Sequence, residues 1–476
     1  MEILNFINGG FLQPKNKSWI DNINPATDEV IGKVPKSGIE DVELSVKAAR
    51  LALPKWKSLS TKERASYLLK LSTKIEENID ELALLETRDT GKPIHTSTNI
   101  DIPRSAKNLK FFANFAIEQK AEEFHGEGLK NYVQRSPIGV VGCISPWNLP
   151  LYLFTWKIAP ALISGNTVIA KPSEFTPTTA FMLSKYCNEI GLPPGVLNIL
   201  HGLGPEIGSA IVDHPEVKAI SFTGSSRVGK IIAETCGKKM KKFSLELGGK
   251  NPFIITENAN LEKAASTAMR AAFTNQGQVC LCGSRIYIHK SIYENVKNQM
   301  LEKLIALTPA NPELPETRFG SLTSKEHFNK VKHYENIAKE DSSIIVHQYE
   351  SKMKEGNFIS PMLLENVGVN HPINQDEIFG PIASLQAYEN EDELATLANS
   401  TQYGLCASIF TEDKTQAKRL ASQIDTGIVW INTWLARDLR TPFGGVKASG
   451  FGREGGNYAL NFFTEPKNIC FPEEHL

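Results

Sequence analysis

Residues 139–144 (GVVGCI), 167–170 (TVIA), 196–200 (VLNIL) and 219–222 (AISF) are four short apolar runs, each bounded by Gly, Pro or charge, with helical patterns between them. An apolar run without alternation suits a strand buried on both faces. Regular alternation of such strands with helices is the pattern of a parallel α/β sheet. Upstream, residues 40–53 (EDVELSVKAARLAL) and 61–87 carry apolar side chains at three- and four-residue steps, which predicts amphipathic helices. Thr61, with Arg64 nearby, is the expected cap of the second. After Gly248 and Gly249 a further series begins: 253–255 (FII), 286–288 (IYI), 344–346 (IIV), 407–410 (ASIF) and 428–431 (IVWI). The chain therefore reads as two α/β units with a seam near residue 250. Residues 121–137 and 462–471 fit neither unit. The first looks like an extended hairpin arm and the second like a lone strand, which must pair with something. Pairing across a subunit boundary and folding back on the same chain both remain open.

The 476 residues are enough for a large core without disulfides or metal. Lys and Arg total 52 against 53 Asp and Glu, a net charge of -1, which argues against nucleic acid as the main partner. Seven irregularly spaced cysteines do not form a disulfide framework and point to a reducing compartment. Residues 1–19 lack the basic start and apolar run of a signal peptide. No uninterrupted apolar stretch reaches the ~18 residues of a membrane span. The expectation is a cytoplasmic protein with a small-molecule partner, no nucleic acid and no membrane.

Four stretches could carry chemistry. Residues 273–285 (FTNQGQVCLCGSR) put Cys280 on a turn just before a strand, where a thiol can face a cleft. The thiolate is the reactive form and needs a base or a local field. Cys280 and Cys282 alone do not make a closed zinc site, and no metal is expected. Cys282 and the other five cysteines read as small buried hydrophobes. Residues 243–252 (FSLELGGKNP) place Glu246 inside an apolar run, where burial would raise its pKa and suit a general base. The alternative is a structural carboxylate paired with Lys250. Residues 144–151 (ISPWNLPL) hold Asn148 between two prolines. Its amide could donate to a developing oxyanion, or it could cap its own turn. Finally, 222–232 (FTGSSRVGKII) follows a strand and opens a helix whose N-terminal amides could face a pyrophosphate, although it is not the G-x-G-x-x-G pattern. Lys171 and Glu174 lie just past a strand end, where open α/β sheets bind ligands. A carboxylate there can hold ribose hydroxyls and repel a 2′-phosphate.

Taken together these motifs resemble the aldehyde dehydrogenase superfamily. The resemblance runs almost end to end, from 6–10 (FINGG) through 377–381 (EIFGP) to 442–445 (PFGG) and 449–453 (SGFGR). It implies an aldehyde dehydrogenase fold: a Rossmann-like NAD-binding domain at 1–120 and 138–249, a catalytic α/β domain at 250–456, and an oligomerisation arm with a C-terminal strand at 121–137 and 457–476. It also implies a homodimer or homotetramer. In the implied chemistry Cys280 is the nucleophile and Glu246 the general base. The Asn148 side chain and the Cys280 N–H form the oxyanion hole. Lys171 and Glu174 hold the adenosine ribose, and Gly224, Ser225 and Gly229 face the pyrophosphate. Ile144 and Trp147 line the cofactor cleft, Leu247 approaches the nicotinamide through its backbone, and Glu377 and Phe379 hold the nicotinamide ribose side. An aldehyde would become its acid through a thiohemiacetal and a thioester. Intact Cys280, Glu246 and Asn148 speak against a non-catalytic relative, and Glu246 speaks against a coenzyme-A-acylating one.

A narrower resemblance lies in 101–105 (DIPRS), 147–157 (WNLPLYLFTWK), 278–282 (QVCLC) and 432–445 (NTWLARDLRTPFGG). These are similar to the branch acting on 2-aminomuconic and 2-hydroxymuconic semialdehydes, whose substrates carry carboxylates. Arg104 and Arg437 are therefore candidate carboxylate anchors, with Arg440 a weaker third. The alternative for Arg437 is a pair with Asp438 or a surface acid. A broad aliphatic or betaine aldehyde dehydrogenase is the rival within the class. Residues 307–315 (LTPANPELP) depart from the family pattern, which leaves the shape of that loop and its part in the cleft rim open.

Overall fold

The computed structural model describes residues 1–472, so the last four residues of the expected C-terminal arm, 473–476, lie outside the described residues. The apolar runs become the middle of an eight-stranded sheet. Five of its strands are parallel and stand in the order Leu197–Ile199, Thr167–Lys171, Val140–Ile144, Val217–Thr223 and Lys242–Glu246. The chain winds outward from Val140–Ile144 in one direction, then restarts on its other side. Val140–Ile144 and Val217–Thr223 thus flank the switch point, and a crevice opens beyond their carboxyl ends. Apolar clusters cover both faces of this sheet. Two additions were not legible in the run pattern. The strands Asn5–Ile7 and Gly10–Leu12 extend one edge, and the two-residue strand Gly450–Phe451 returns from far along the chain to pair with Lys242–Glu246.

The chain leaves the first sheet at Glu246 and enters a seven-stranded one at Asn251. That sheet contains every run of the second series, together with Met362–Glu365 and Ile382–Tyr388, which the sequence reading left out. Both are short, and periodicity alone does not tell a short strand run from a helix segment.

The expected helix over 61–87 is two helices, Thr61–Glu77 and Ile79–Thr90, broken at Asn78, whose side chain turns back to the Lys74 carbonyl at 2.7 Å. Its cap is Ser60, not Thr61. Ser60 and Glu63 form a reciprocal capping box, with Glu63 accepting from the Ser60 N–H at 2.7 Å. Arg64 instead reaches the Ile163 carbonyl at 2.8 Å.

The arm is a hairpin of Glu122–Gly126 and Leu129–Pro137, as read. The tail strand Thr464–Pro472 pairs antiparallel with Leu129–Pro137 of the same chain. One edge of its backbone is therefore paired within the chain, along Leu129–Pro137. Among the described residues no further strand pairs with either outer edge of this three-stranded sheet. Cys470, on the outer strand, is exposed, which corrects its reading as a buried hydrophobe. Cys143, Cys187, Cys236, Cys282 and Cys406 are buried. Among the described residues no helix is long and apolar enough to cross a membrane, and no cluster of three or more His, Cys, Asp and Glu side chains is placed to hold a metal.

Candidate active site

Cys280 sits on the turn between a left-handed loop and the strand Gly283–His289. Asn275, Gln276 and Gly277 have φ of 52°, 56° and 73°. Strained backbone of this kind persists only where its surroundings hold it, and it clusters at functional sites. Three contacts hold it here. Gly277 packs on the Gly380 carbonyl with no room for a Cβ. Gln278 Oε1 accepts from the Thr323 N–H at 3.1 Å. Asn251 Nδ2 donates to the carbonyls of Cys280 at 2.7 Å and Cys282 at 2.9 Å. Cys280 itself is half-buried, and burial, together with the carboxyls of Glu377 and Glu246, pushes its thiol pKa up while Arg437 opposes them. Cys282 is buried and its thiol is pushed up to about 12, as for an inert core cysteine.

Asn148 does not cap its own turn. Its Nδ2 donates to the Gln278 carbonyl at 2.9 Å, across 130 residues of sequence. That bond takes one of the two amide N–H donors and leaves the other for a ligand. The Asn148 carbonyl accepts from Asn275 Nδ2 and Lys92 Nζ, both at 3.0 Å. Asn148 and the Cys280 turn are thereby one hydrogen-bonded unit.

Glu246 ends the strand Lys242–Glu246, and both its carboxyl oxygens are buried without a hydrogen-bond partner. Lys250 is not its partner; the charges that act on that ammonium are those of Arg285, Glu377, Asp376 and Lys330, and burial lowers its pKa to about 7. Gly444, at φ 146°, packs against the carboxyl, and a Cβ there would stand 2.5 Å from Glu246 Oε1. Burial first, and then the charge of Glu454, pushes the Glu246 pKa well above its ordinary value, against the pull of Lys157, Arg437 and Arg453. Glu454 is tied to Lys157 Nζ at 2.9 Å and Trp156 Nε1 at 2.6 Å. Sequence reasoning missed this buried Lys157–Glu454 pair. The available signal was a single lysine inside the apolar helix Pro150–Ile163.

The crevice at the switch point fits a dinucleotide. Ser145 Oγ and Thr223 Oγ1, at the carboxyl ends of the two flanking strands, are buried with no partner. From Thr223 the chain passes through Gly224 to Ser225, which caps the helix Ser226–Lys238. The first amides of a helix have no intrahelical partner, as an anion requires, and here Ser225 Oγ takes the Val228 N–H at 3.4 Å. Gly229 lies in its second turn because Leu247 fills the space, and a Cβ there would stand 2.5 Å from Leu247 Cδ2. The Leu247 N–H donates to the Ser449 carbonyl at 2.9 Å. Ile144 is buried at the strand end before Ser145. Lys171 Nζ donates to Glu174 Oε2 at 2.9 Å, and Glu174 Oε1 accepts from the Gly204 N–H at 3.0 Å. Burial would raise the Glu174 pKa, but Lys171 and these hydrogen bonds outweigh it and keep the carboxylate charged. Glu377 Oε1 accepts from the Gly249 N–H at 3.0 Å. Trp147 packs on Phe379 with ring centroids 5.3 Å apart and on His327 at 5.0 Å. Phe379 is itself left-handed, with φ of 62°.

The arginines separate cleanly. Arg437 does not pair with Asp438. Its guanidinium lies 3.8 Å from the Phe443 ring centroid and 4.2 Å from that of Trp156, and Nη2 is buried with no partner. Asp438 is taken by Arg440 through bonds of 2.5–3.1 Å at the surface, which removes Arg440 as a third anchor. Arg104 Nε donates to Asn108 Oδ1 at 3.1 Å and its guanidinium sits 5.2 Å from the Tyr152 ring centroid. Its Nη2 is also buried without a partner, and burial, with Arg437 as a like-charged neighbour, lowers its pKa. The altered loop at 307–315 lies elsewhere: Glu313 pairs with Arg88 at 2.9 Å and the Pro312 carbonyl accepts from the Ile94 N–H at 2.8 Å.

Comparison with known proteins agrees with this geometry. The aldehyde dehydrogenase family model matches residues 11–469. A 2-aminomuconic semialdehyde dehydrogenase of Mus musculus is 44% identical over 98% of this chain and 97% of its own. A 2-hydroxymuconic semialdehyde dehydrogenase of Pseudomonas sp. (strain CF600) is 41% identical over 98% of this chain and 99% of its own. The NAD+ complex of an aldehyde dehydrogenase from Bacillus cereus superposes with a TM-score of 0.96 at 36% identity, over 99% of this chain and 97% of its own. The chain belongs to the aldehyde dehydrogenase family and is an NAD-dependent enzyme that oxidises an aldehyde to its carboxylic acid.

Proposed function

We propose that the substrate is an aldehyde carrying a carboxylate, of the 2-aminomuconic or 2-hydroxymuconic 6-semialdehyde type. The observation that carries this reading is the pair of half-buried arginines, Arg104 and Arg437, each with a buried, unpartnered Nη2. A buried arginine nitrogen without an acceptor is costly, and a planar carboxylate supplies the acceptor the fork is shaped for. Arg437 also lowers the pKa of both Glu246 and Cys280, so its charge reaches both side chains. The test is reduction of NAD and of NADP over aldehydes with and without a terminal carboxylate. A higher kcat/KM for the carboxylated members and for NAD is expected. Equal rates for neutral aldehydes would defeat the substrate assignment.

In this reading Cys280 gives up its thiol proton to solvent water and its Sγ adds to the aldehyde carbon. The resulting oxyanion accepts from the free N–H of the Asn148 amide and from the Cys280 N–H. A bound nicotinamide supplies the two-electron acceptor for the hydride lost from that carbon. Lys171 and Glu174 grip the adenosine ribose, Gly224, Ser225 and Gly229 leave the helix amides open to the pyrophosphate, and Ile144, Trp147, Glu377 and Phe379 enclose the nicotinamide end. The Leu247 carbonyl, whose N–H is already used, is the group offered to the ring. The acyl group remains on sulfur as a thioester. Glu246 takes a proton from the water that attacks it, the C–S bond breaks, and the acid leaves with Cys280 restored.

The buried acid pair sets a pH dependence. Glu246 works as the base form, and its raised pKa places the rising limb of thioester hydrolysis well above the usual carboxylate range. Glu454 raises that pKa and Lys157 lowers it. Glu454→Gln removes the raising charge and leaves Lys157 unopposed, so the limb should move to lower pH. Rapid-quench measurement of acid release after acylation reads the limb directly, and a shift to higher pH would contradict the arrangement.

We also assign 1–120 and 138–249 to an NAD-binding domain and 250–456 to a catalytic domain. In our reading 121–137 and 457–476 form the arm of a cytoplasmic homodimer or homotetramer. Exposed Phe124, Leu129 and Phe471 on the arm sheet support the assembly.

A further inference from the structure

Lys92 is a fully buried lysine that the chemistry above does not use. Its Nζ donates to Asp101 Oδ2 at 2.6 Å, to Glu86 Oε1 at 3.2 Å and to the main-chain carbonyl of Asn148 at 3.0 Å. An ammonium has three N–H donors, so the set is complete. Burial opposes its charge, yet Asp101 and Glu86 outweigh burial and hold its pKa above the ordinary value. The carboxylates are anchored in turn. Glu86 Oε2 accepts from the Leu151 N–H at 3.3 Å, in the first turn of the helix that follows Asn148. Asp101 closes a π-helical turn, Ser97–Asp101, and such widened turns are frequent at functional sites.

Burying three ionisable groups is expensive, and an apolar trio of the same volume would often be at least as stable. What the trio adds is direction. We propose that Lys92, held by Glu86 and Asp101, is a positioning residue for the amide of Asn148. The proposal rests on the reading of Asn148 as an oxyanion donor. The other bonds to Asn148 come from Asn275 and Gln278, which belong to the nucleophile loop. Lys92 is the one anchor that comes from the 86–101 segment instead. With it, the free amide N–H has a bearing that does not drift with the loop. Without it, Asn148 follows Asn275 and Gln278 alone, and a displacement of ~1 Å between a donor and the reacting centre costs about 10²-fold.

The test is a double-mutant cycle of Lys92→Met and Asn148→Ala in the full-length enzyme, reading kcat, aldehyde KM, NAD dissociation constant and the rate of Cys280 alkylation. Asn148→Ala should lower kcat by about 10²–10³-fold. Lys92→Met should lower kcat by about 10-fold or more, with KM, NAD binding and alkylation within about threefold. In the Asn148→Ala background it should lower kcat no further, because residues acting as a unit are not additive. If Lys92→Met does not fold, Asp101→Asn keeps the Lys92 contacts to Glu86 and Asn148 and enters the same cycle, with a smaller loss that again vanishes beside Asn148→Ala. Multiplying losses, or Lys92→Met turnover within twofold of the parent, would overturn the positioning role while leaving Asn148 in place. Full turnover by Asn148→Ala alone would instead remove the oxyanion reading and this proposal with it.

Discussion

Cys280→Ser should lower kcat by about 10⁴-fold or more, with NAD binding retained. A serine hydroxyl on this turn has nearly the same reach as the thiol but is far less acidic and far less nucleophilic. The surroundings of Cys280 do nothing to offset that. Burial and two carboxyls, Glu377 and Glu246, already disfavour an anion on the side chain, and Arg437 opposes them only in part. An alkoxide here would be worse placed than the thiolate it replaces. The loop should survive the change, because Asn251, Thr323 and Gly380 hold it through main-chain and Gln278 contacts that do not involve the sulfur. Rapid-quench analysis should find no acyl group on the variant. Turnover within tenfold of the parent would show that some other group attacks the aldehyde.

The second large effect is expected at Arg437. Arg437→Ala and Arg437→Met should each lower kcat/KM for a carboxylated semialdehyde by about 10²-fold, since a charged hydrogen-bonding site without its donor loses roughly 1.5–3 kcal/mol. For a neutral aldehyde of similar length the change should stay within a few-fold at the pH plateau. Methionine keeps most of the volume between Trp156 and Phe443, so it separates lost charge from a hole left in the wall. If both variants keep the parent's preference for the carboxylated substrate, the guanidinium does not bind it. The plateau matters because Arg437 also lowers the pKa of Glu246, so its removal moves the pH limb upward.

Much of this arrangement was legible in the chain. Buried parallel strands write themselves as unbroken apolar runs, so 139–144, 167–170 and 219–222 located the sheet and its crevice. Glu246 and Asn148 stood out as polar residues among apolar or proline neighbours, and Cys280 by its place on a turn just before a strand. What was not legible depends on pairing across long separations. Lys157 and Glu454 meet across 297 residues, and nothing local marks either as the other's partner. Lys92 looks like an ordinary lysine in a polar stretch until the fold closes over it. The choice between Arg437 and Arg440 turns on which of two near neighbours faces outward to Asp438, a matter of rotamer and loop geometry. Ser60 was passed over because Thr61 offers the same hydroxyl one residue later, and only the reciprocal bond with Glu63 decides between them. The tail strand's destination was open for the same reason as its edges: backbone groups accept any strand of the right hand and length.

The bonds from Asn148 to Gln278 and from Asn275 to Asn148 cross from the first sheet's side of the molecule to the second's. A polypeptide nicked between Gly249 and Lys250 would leave the donor cradle on one fragment and the sulfur on the other. Neither piece alone would be a slow enzyme; each would be no enzyme. Mixing them would make recovered turnover a direct gauge of how faithfully the two halves dock.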